Sequence, residues 1–124
     1  MEQLLLHLIG DYVIQTDKMA SRKITDIRYA ILHSLIYSLP FLLLDISIYA
    51  FLVILITHII IDRYRLAKYV IFFKNRLHNR DLKWTDCRQT GFHYSRPDWL
   101  AVWLMIITDN TLHLSINYLA IKYL

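Results

Sequence analysis

Imidazole and carboxylate side chains recur at a spacing of four residues within apolar stretches of this sequence. His7 and Asp11 lie in LLLHLIGDYVIQTD, and His58 and Asp62 lie in THIIID. Residues four apart project from the same face of an α-helix, one turn above another. Such a face inside an otherwise apolar helix predicts either a metal site or a site that handles protons.

Two further apolar stretches extend this set. Asp109 and His113 have the same spacing in the reverse order, and His33 stands alone in YAILHSLIY. Carboxylates and imidazoles suit Zn, Mn or Fe, and a set of this size fits two divalent ions better than one. The alternative is that the same residues pair by hydrogen bonds or relay protons without a metal. The predicted metal ligands are His7, Asp11, His33, His58, Asp62, Asp109 and His113.

Several of these residues, and their neighbours, also have predicted roles in chemistry. Two bound ions can activate water and hold a phosphate, so hydrolysis of a phosphate ester is the predicted reaction. We predict Asp11, His33 and Asp62 as the catalytic residues. Gln15 and Asn110 are predicted to orient the ligands through hydrogen bonds.

Two arginines flank the mouth of the predicted site. Arg63 follows Asp62 directly, and Arg96 precedes the last apolar stretch. Guanidinium groups bind phosphate oxygens well, so both are predicted to bind substrate, although an arginine here can equally anchor a helix at a membrane surface. His78, His93 and Asp86 lie in the basic stretch between them and are left out of the ligand set, while a loop that closes over the site could still bring in His93 as an acid or base.

Composition indicates a small helical membrane protein. The chain has 124 residues, 56% of them hydrophobic, with only 2 glycines and 2 prolines. At this length we predict one domain, a single transmembrane helical domain over residues 1–124. The one cysteine, Cys87, excludes an internal disulfide and a zinc site made of cysteines.

Four apolar stretches predict four transmembrane helices. A helix needs about 20 apolar residues to cross the hydrocarbon core of a bilayer. The second and fourth stretches meet this length, whereas the first and third are short and need flanking residues or a thinned bilayer. The predicted helices cover Gln3 to Thr16, Ile27 to Leu44, Ile46 to Ile61, and Trp99 to Ile121.

The basic residues fall on one side of this predicted arrangement. Four of the 14 Lys and Arg residues precede or begin the second stretch, nine lie between Arg63 and Pro97, and only Lys122 lies elsewhere. If the helices cross alternately, the positive-inside rule places both basic loops in the cytoplasm and both termini outside it. The predicted location is a bacterial-type inner (plasma) membrane, crossed several times.

A fifth helix is predicted within the long basic stretch. Apolar residues from Leu66 to Leu77 recur at helical spacing and are interspersed with Lys and Arg. This pattern predicts a basic amphipathic cytoplasmic helix between the third and fourth membrane helices, lying on anionic headgroups. The same pattern is also typical of a cytoplasmic extension of the third helix. The predicted fold class is therefore all-α: a four-helix integral membrane bundle with one basic amphipathic helix.

The motifs HLIGDYVIQTDKMA, THIIIDRYR and RPDWLAVWLMIITDNTLHLSINY, together with His33, resemble the short helical membrane proteins of domain-of-unknown-function family 3307. The resemblance covers nearly the whole chain. It implies no activity, because that of the family is unassigned. A more distant similarity, through histidine-bearing helices in a membrane bundle, is to membrane-bound metal-dependent hydrolases grouped with zinc-dependent phospholipase C.

These observations predict a membrane-embedded, metal-dependent hydrolase that acts from the cytoplasmic side. Its substrate would be a lipid headgroup, a polyprenyl phosphate or a nucleotide, and membrane lipids would be its other partners. The grouping of charge beside apolar helices argues against binding to a nucleic-acid duplex. One alternative is a transporter or channel for divalent metals or protons, which at four helices would need to form a homo-oligomer. Another is an interaction protein that uses metal to hold its short helices together.

Overall fold

The chain is entirely helical. The computed structural model describes all residues from 1 to 124 and contains six α-helices and no strands, which confirms the all-α prediction. The sequence predicts five helices, and the sixth is a short helix in the first polar segment. The helices are α1 (Glu2–Leu8), α2 (Asp17–Arg22), α3 (Ile27–Ser38), α4 (Ile48–Tyr64), α5 (Leu66–His78) and α6 (Asp98–Tyr123).

Contacts divide the chain into two compact units. The first unit contains Met1–Tyr64 and His113–Leu124, and the second contains Arg65–Leu112. In the first unit α3 packs along α4. Its apolar core consists of Leu6, Tyr37, Phe41, Ala50, Ile54 and Ala120.

A π-helical turn follows α1 and covers Ile9–Val13, where the sequence predicts a continuous α-helix to Thr16. The amide of Ile14 donates to the carbonyl of Ile9, five residues back, at 3.0 Å. Gly10 lies in this turn against the ring of Tyr37. A Cβ at position 10 would lie 2.5 Å from Tyr37 Cδ2, so only glycine permits this approach.

The missed helix, α2, has six residues and is mostly polar. Its start is fixed by Thr16, whose hydroxyl accepts a hydrogen bond from the Met19 amide at 3.3 Å. A helix this short has fewer than two turns of apolar periodicity, so its capping residue is the only sequence signal for it. It packs on α3.

The second predicted membrane helix is interrupted near its end. α3 stops at Ser38, and Leu39–Leu44 continue as a 3₁₀-helix with Pro40 in its first turn, because proline cannot donate an α-helical hydrogen bond. Asp45 then adopts a left-handed conformation with φ of 52°. Ser47 starts α4 by accepting a hydrogen bond from the Ala50 amide at 3.0 Å.

The second unit is built around α5. Arg65 has a φ of 51° and separates α5 from α4, so α5 is a helix of its own and not an extension of α4. The indole of Trp84 stacks on Tyr69 at 4.9 Å and meets Phe72 edge to face at 5.1 Å. These contacts order a segment that composition alone describes only as a basic loop.

Two helical stretches are long and apolar enough to cross a membrane. They are Ile27–Leu44, which joins α3 to its 3₁₀ extension, and Asp98–Tyr123, which is α6. α4 has 17 residues and α1 has seven, so neither reaches this length. The structure therefore supports two of the four predicted spans on length and composition.

Replacing Gly10 by alanine should destabilise the first unit. The new methyl group would press on the Tyr37 ring, which is fully buried and cannot withdraw. We expect a loss of about 1–3 kcal/mol in the free energy of unfolding, seen as a lower melting temperature by circular dichroism in detergent. Val13→Ala, at a 75% exposed site in the same turn, serves as the control. An unchanged melting temperature for Gly10→Ala would contradict the close packing of this turn.

Candidate metal centre

Four of the predicted ligands meet inside the first unit. Asp11 comes from the π-helical turn, His33 from α3, and His58 and Asp62 from one face of α4. None of the four is more than 7% exposed. One donor atom from each lies within 4.8 Å of the other three. We call these four residues the central set.

The spacing of the central donors suits a metal ion. The two imidazole Nε2 atoms are 3.0 Å apart. His33 Nε2 lies 3.1 Å from Asp11 Oδ1 and 3.2 Å from Asp62 Oδ2. His58 Nε2 lies 3.4 and 3.1 Å from the same two oxygens. Ligands at about 2.0 Å from a tetrahedrally coordinated ion are about 3.3 Å apart, so these separations match.

Hydrogen bonding alone satisfies this arrangement poorly. An imidazole nitrogen carries at most one proton and therefore makes one good hydrogen bond, yet His33 Nε2 has three polar atoms of the central set within 3.2 Å. Two carboxylates buried together also repel each other unless a cation lies between them. A divalent ion would satisfy all four donors at once. The central set thus fits a metal on both donor chemistry and geometry.

Each carboxylate of the central set has a second oxygen that faces a further histidine. Asp11 Oδ2 lies 3.4 Å from His7 Nδ1. Asp62 Oδ1 lies 3.4 Å from His113 Nε2. His7 and His113 are both buried, and their ring centroids are 5.7 Å apart. Six of the seven predicted ligands are therefore close together in the first unit.

The seventh predicted ligand, Asp109, lies on α6 one turn before His113 and belongs to the second unit. Its side chain is half-buried, as is that of Asn110. Their assignments as ligand and as orienting residue stay predictions. The side-chain amide of Gln15 donates to the backbone carbonyl of Asp11 at 3.0 Å and so supports the end of the π-helical turn, and its assignment as an orienting residue also stays a prediction.

An ammonium group that the sequence analysis overlooked lies against the central set. Lys23 follows α2, and its Nζ lies 2.8 Å from Asp62 Oδ2 and 3.4 Å from His33 Nε2. Its side chain is only 16% exposed. No periodic pattern marks this lysine, because it lies in a polar segment outside the apolar helices. It is the cation nearest to the buried carboxylates in the first unit.

Tyr37 contacts two of the buried histidines, His7 and His58. Its hydroxyl accepts a hydrogen bond from Asn117 Nδ2 at 2.7 Å and lies 2.9 Å from His7 Nδ1. Its ring stacks on the imidazole of His58 with centroids 3.7 Å apart and planes inclined by 21°. Tyr37 follows His33 by four residues, and Asn117 follows His113 by four. The same spacing that identifies the ligands therefore also marks these two residues.

The two predicted substrate-binding arginines lie in different units. Arg63 donates from Nη1 to the backbone carbonyl of Ile24 in the first unit. Arg96 is exposed in the second unit, and its amide donates to the His93 carbonyl at 3.0 Å. Cys87, also in the second unit, is buried, and burial together with the Asp86 carboxylate raises the pKa of its thiol, which disfavours a role as a ligand.

Comparison with known proteins identifies a family and no function. No curated protein and no solved structure matches the chain. The more distant similarity to membrane-bound hydrolases therefore stays a prediction. A family model described as "Protein of unknown function (DUF3307)" matches residues 1–122, which is nearly the whole chain. The resemblance predicted from the spaced His and Asp motifs is thus confirmed, and the chain belongs to the DUF3307 family.

Proposed function

We propose that this protein is an integral membrane enzyme that hydrolyses a phosphate ester at a buried divalent-metal centre. One observation carries the proposal: Asp11 and Asp62 each face the central set with one oxygen and a further histidine with the other. Carboxylates with both oxygens directed at ligand groups are typical of bridging ligands, and paired ions suit phosphate hydrolysis. The metals that fit these donors are Zn, Mn and Fe.

The exposed surface of α4 supports a membrane location. Ile48, Leu52, Ile56 and Ile60 recur every fourth residue and are each 42–63% exposed. The opposite side of the same helix carries buried His58 and Asp62. A helix in water has its apolar side inside and its polar side outside, so α4 has the inverse pattern, which suits surrounding lipid. We propose that α4 also lies in the membrane, although it is shorter than a standard span.

The protein groups around the centre have separable tasks in the proposed reaction. A bound ion, when present, supplies Lewis acidity that activates water and a phosphoryl oxygen. Asp11 and Asp62 supply the negative charge that retains it. Tyr37 fixes the ring of His58 by stacking and contacts His7 through its hydroxyl. His7 and His113 lie beyond the central set, where either can hold a second ion or exchange a proton with substrate.

The substrate class is proposed from charge and location. The second unit carries most of the basic residues and exposes Phe73 and Leu77 on α5, which are 69% and 75% exposed. A basic and apolar surface suits phosphate groups at a lipid boundary. A lipid headgroup or a polyprenyl phosphate is therefore favoured over a soluble nucleotide.

A second candidate function rests on how closed the central set is. Four protein donors with no more than 7% exposure resemble a structural metal site, because catalytic sites keep one position open for water. In this case the ion would hold the short helices of the first unit together and the protein would act through a partner. Activity measurements on metal-loaded protein separate the two candidates.

Topology provides the first test of the proposal. Thirteen of the 14 Lys and Arg residues lie in two basic segments, residues 18–28 and 63–96. By the positive-inside rule we expect both segments in the cytoplasm and both termini outside it. An alkaline phosphatase fusion after Leu124 should be active, whereas a fluorescent protein inserted beside exposed Arg80 should fluoresce in the cytoplasm. The reverse result for both fusions would contradict the proposed orientation and the cytoplasmic access of the site.

Metal stoichiometry tests the centre itself. Elemental analysis of protein purified without chelator should give one or two transition-metal ions per chain. Asp62→Asn should lose all of them, because both Asp62 oxygens face ligand groups, whereas His113→Ala should lose at most one and leave the central set intact. Asp17→Asn, on the exposed side of α2, is the matched control.

Metal removal should also lower stability. A ligand present at 100 times its dissociation constant stabilises the folded state by about 2.7 kcal/mol. Chelator should therefore lower the melting temperature of the wild type and leave that of Asp62→Asn unchanged. If the purified wild-type protein contains no metal, the proposed metal centre is wrong, and the buried His and Asp residues form a network of hydrogen bonds or a proton relay instead.

Hydrolysis is tested with metal-loaded protein in nanodiscs and a panel of phospholipids, polyprenyl phosphates and nucleotides, with products followed by mass spectrometry. Asp11→Asn keeps the side-chain shape and removes its charge, so kcat should fall by about 100-fold or more. Arg96→Ala should raise KM with little change in kcat if Arg96 only binds substrate. Full metal occupancy without turnover would favour the structural candidate, and metal or proton flux in proteoliposomes would favour a transporter.

A further inference from the structure

We propose that Lys23 is a built-in cation that occupies the central set when no metal is bound and is displaced when a divalent ion binds. This inference rests on the proposed metal centre. It adds a residue that determines how tightly the centre binds its ion.

The position of the ammonium group carries the argument. Lys23 Nζ contacts Asp62 Oδ2 at 2.8 Å, which is the same oxygen that faces both imidazoles of the central set. It also lies 3.4 Å from His33 Nε2. A nitrogen that coordinates a metal uses its only lone pair to do so, so His33 cannot hold an ion and the ammonium together. Metal binding and the observed position of Lys23 therefore exclude each other at His33.

Electrostatics explains why an ammonium group lies at this position. Asp11 and Asp62 are buried beside each other, and an unpaired buried carboxylate is strongly destabilising. Lys23 supplies a positive charge without any ion from solution. A divalent ion brings twice that charge and contacts all four donors, so it can replace the ammonium. The released side chain has a short route to solvent because 16% of its surface is already exposed.

Hydrogen bonds hold the backbone at Lys23 and at its neighbour Ile24, so the Lys23 side chain starts from a fixed position beside Asp62. Arg63, the neighbour of Asp62 on α4, donates to the carbonyl of Ile24, the neighbour of Lys23. Two consecutive residues of the α2–α3 connection are thus paired with two consecutive residues of α4. The amide of Lys23 also donates to the Met19 carbonyl at 2.9 Å at the end of α2. Displacement therefore requires movement of the Lys23 side chain and no movement of α2.

Metal affinity of a charge-removing variant is the first measurement. In Lys23→Met the competing ammonium is absent, so Zn²⁺ should bind about tenfold tighter or more, as measured by titration calorimetry in detergent. Lys18→Met removes the same charge from an exposed site on α2 and should leave the affinity unchanged. Equal affinities for Lys23→Met and wild type, or weaker binding by Lys23→Met, would overturn the proposal.

Chemical labelling tests the displacement on the wild-type protein, so it does not depend on a variant that folds. An amine-acylating reagent should modify Lys23 slowly without metal and several-fold faster with saturating Zn²⁺, as measured by peptide mass spectrometry. Lys18 should react at one rate throughout and serves as the internal reference. Saturating Zn²⁺ binding without faster labelling of Lys23 would overturn this inference and leave the metal centre standing. Absence of Zn²⁺ binding by the wild type would overturn the metal centre and this inference with it.

Discussion

The mutual burial of Asp11 and Asp62 is the constraint on which the first unit depends. Two carboxylates with at most 7% exposure cannot stay ionised side by side without positive charge close to them. Four helices, α1, α3, α4 and α6, supply the imidazoles that lie beside these carboxylates, and Lys23, which follows α2, supplies an ammonium group. The apolar core of the unit draws on the same four helices, so the polar centre and the core hold them together at different places along their length.

Much of this centre could be predicted from the sequence, because its His and Asp residues are spaced at the period of an α-helix. The pairs His7 with Asp11 and His58 with Asp62 are four apart, and each pair lies on one side of its helix in the structure. Lys23 was not predictable in this way, because it directly follows a six-residue polar helix whose position depends on its contacts with α3. Short elements carry few periodic residues, and tertiary contacts determine where their side chains point.

The fold was predictable in class and less so in its details. Long apolar stretches predicted α4 and α6 nearly at their observed bounds, and spaced apolar residues predicted α5, whereas the second stretch is divided into α3 and a 3₁₀-helix. The interruption at Ser38 follows from Pro40, whereas the π-helical turn at Ile9–Val13 has no propensity signal. The proposed membrane location rests on hydrophobic length, which α3 with its 3₁₀ extension and α6 reach, and on the exposed apolar side of the shorter α4.

The π-helical turn makes the N-terminal region sensitive to chain length. A π-helical turn holds one more residue than an α-helical turn, and each residue of an α-helix contributes a rotation of about 100°. Deleting one residue between Leu8 and Asp11 would let the segment become regular α-helix and would turn His7 away from Tyr37 and Asp11. Substitutions that keep the number of residues in this segment would leave the orientation of His7 toward Tyr37 and Asp11 unchanged. Related chains aligned without regard to this extra residue would therefore show His7 and Asp11 out of register, although both occupy the same place in space.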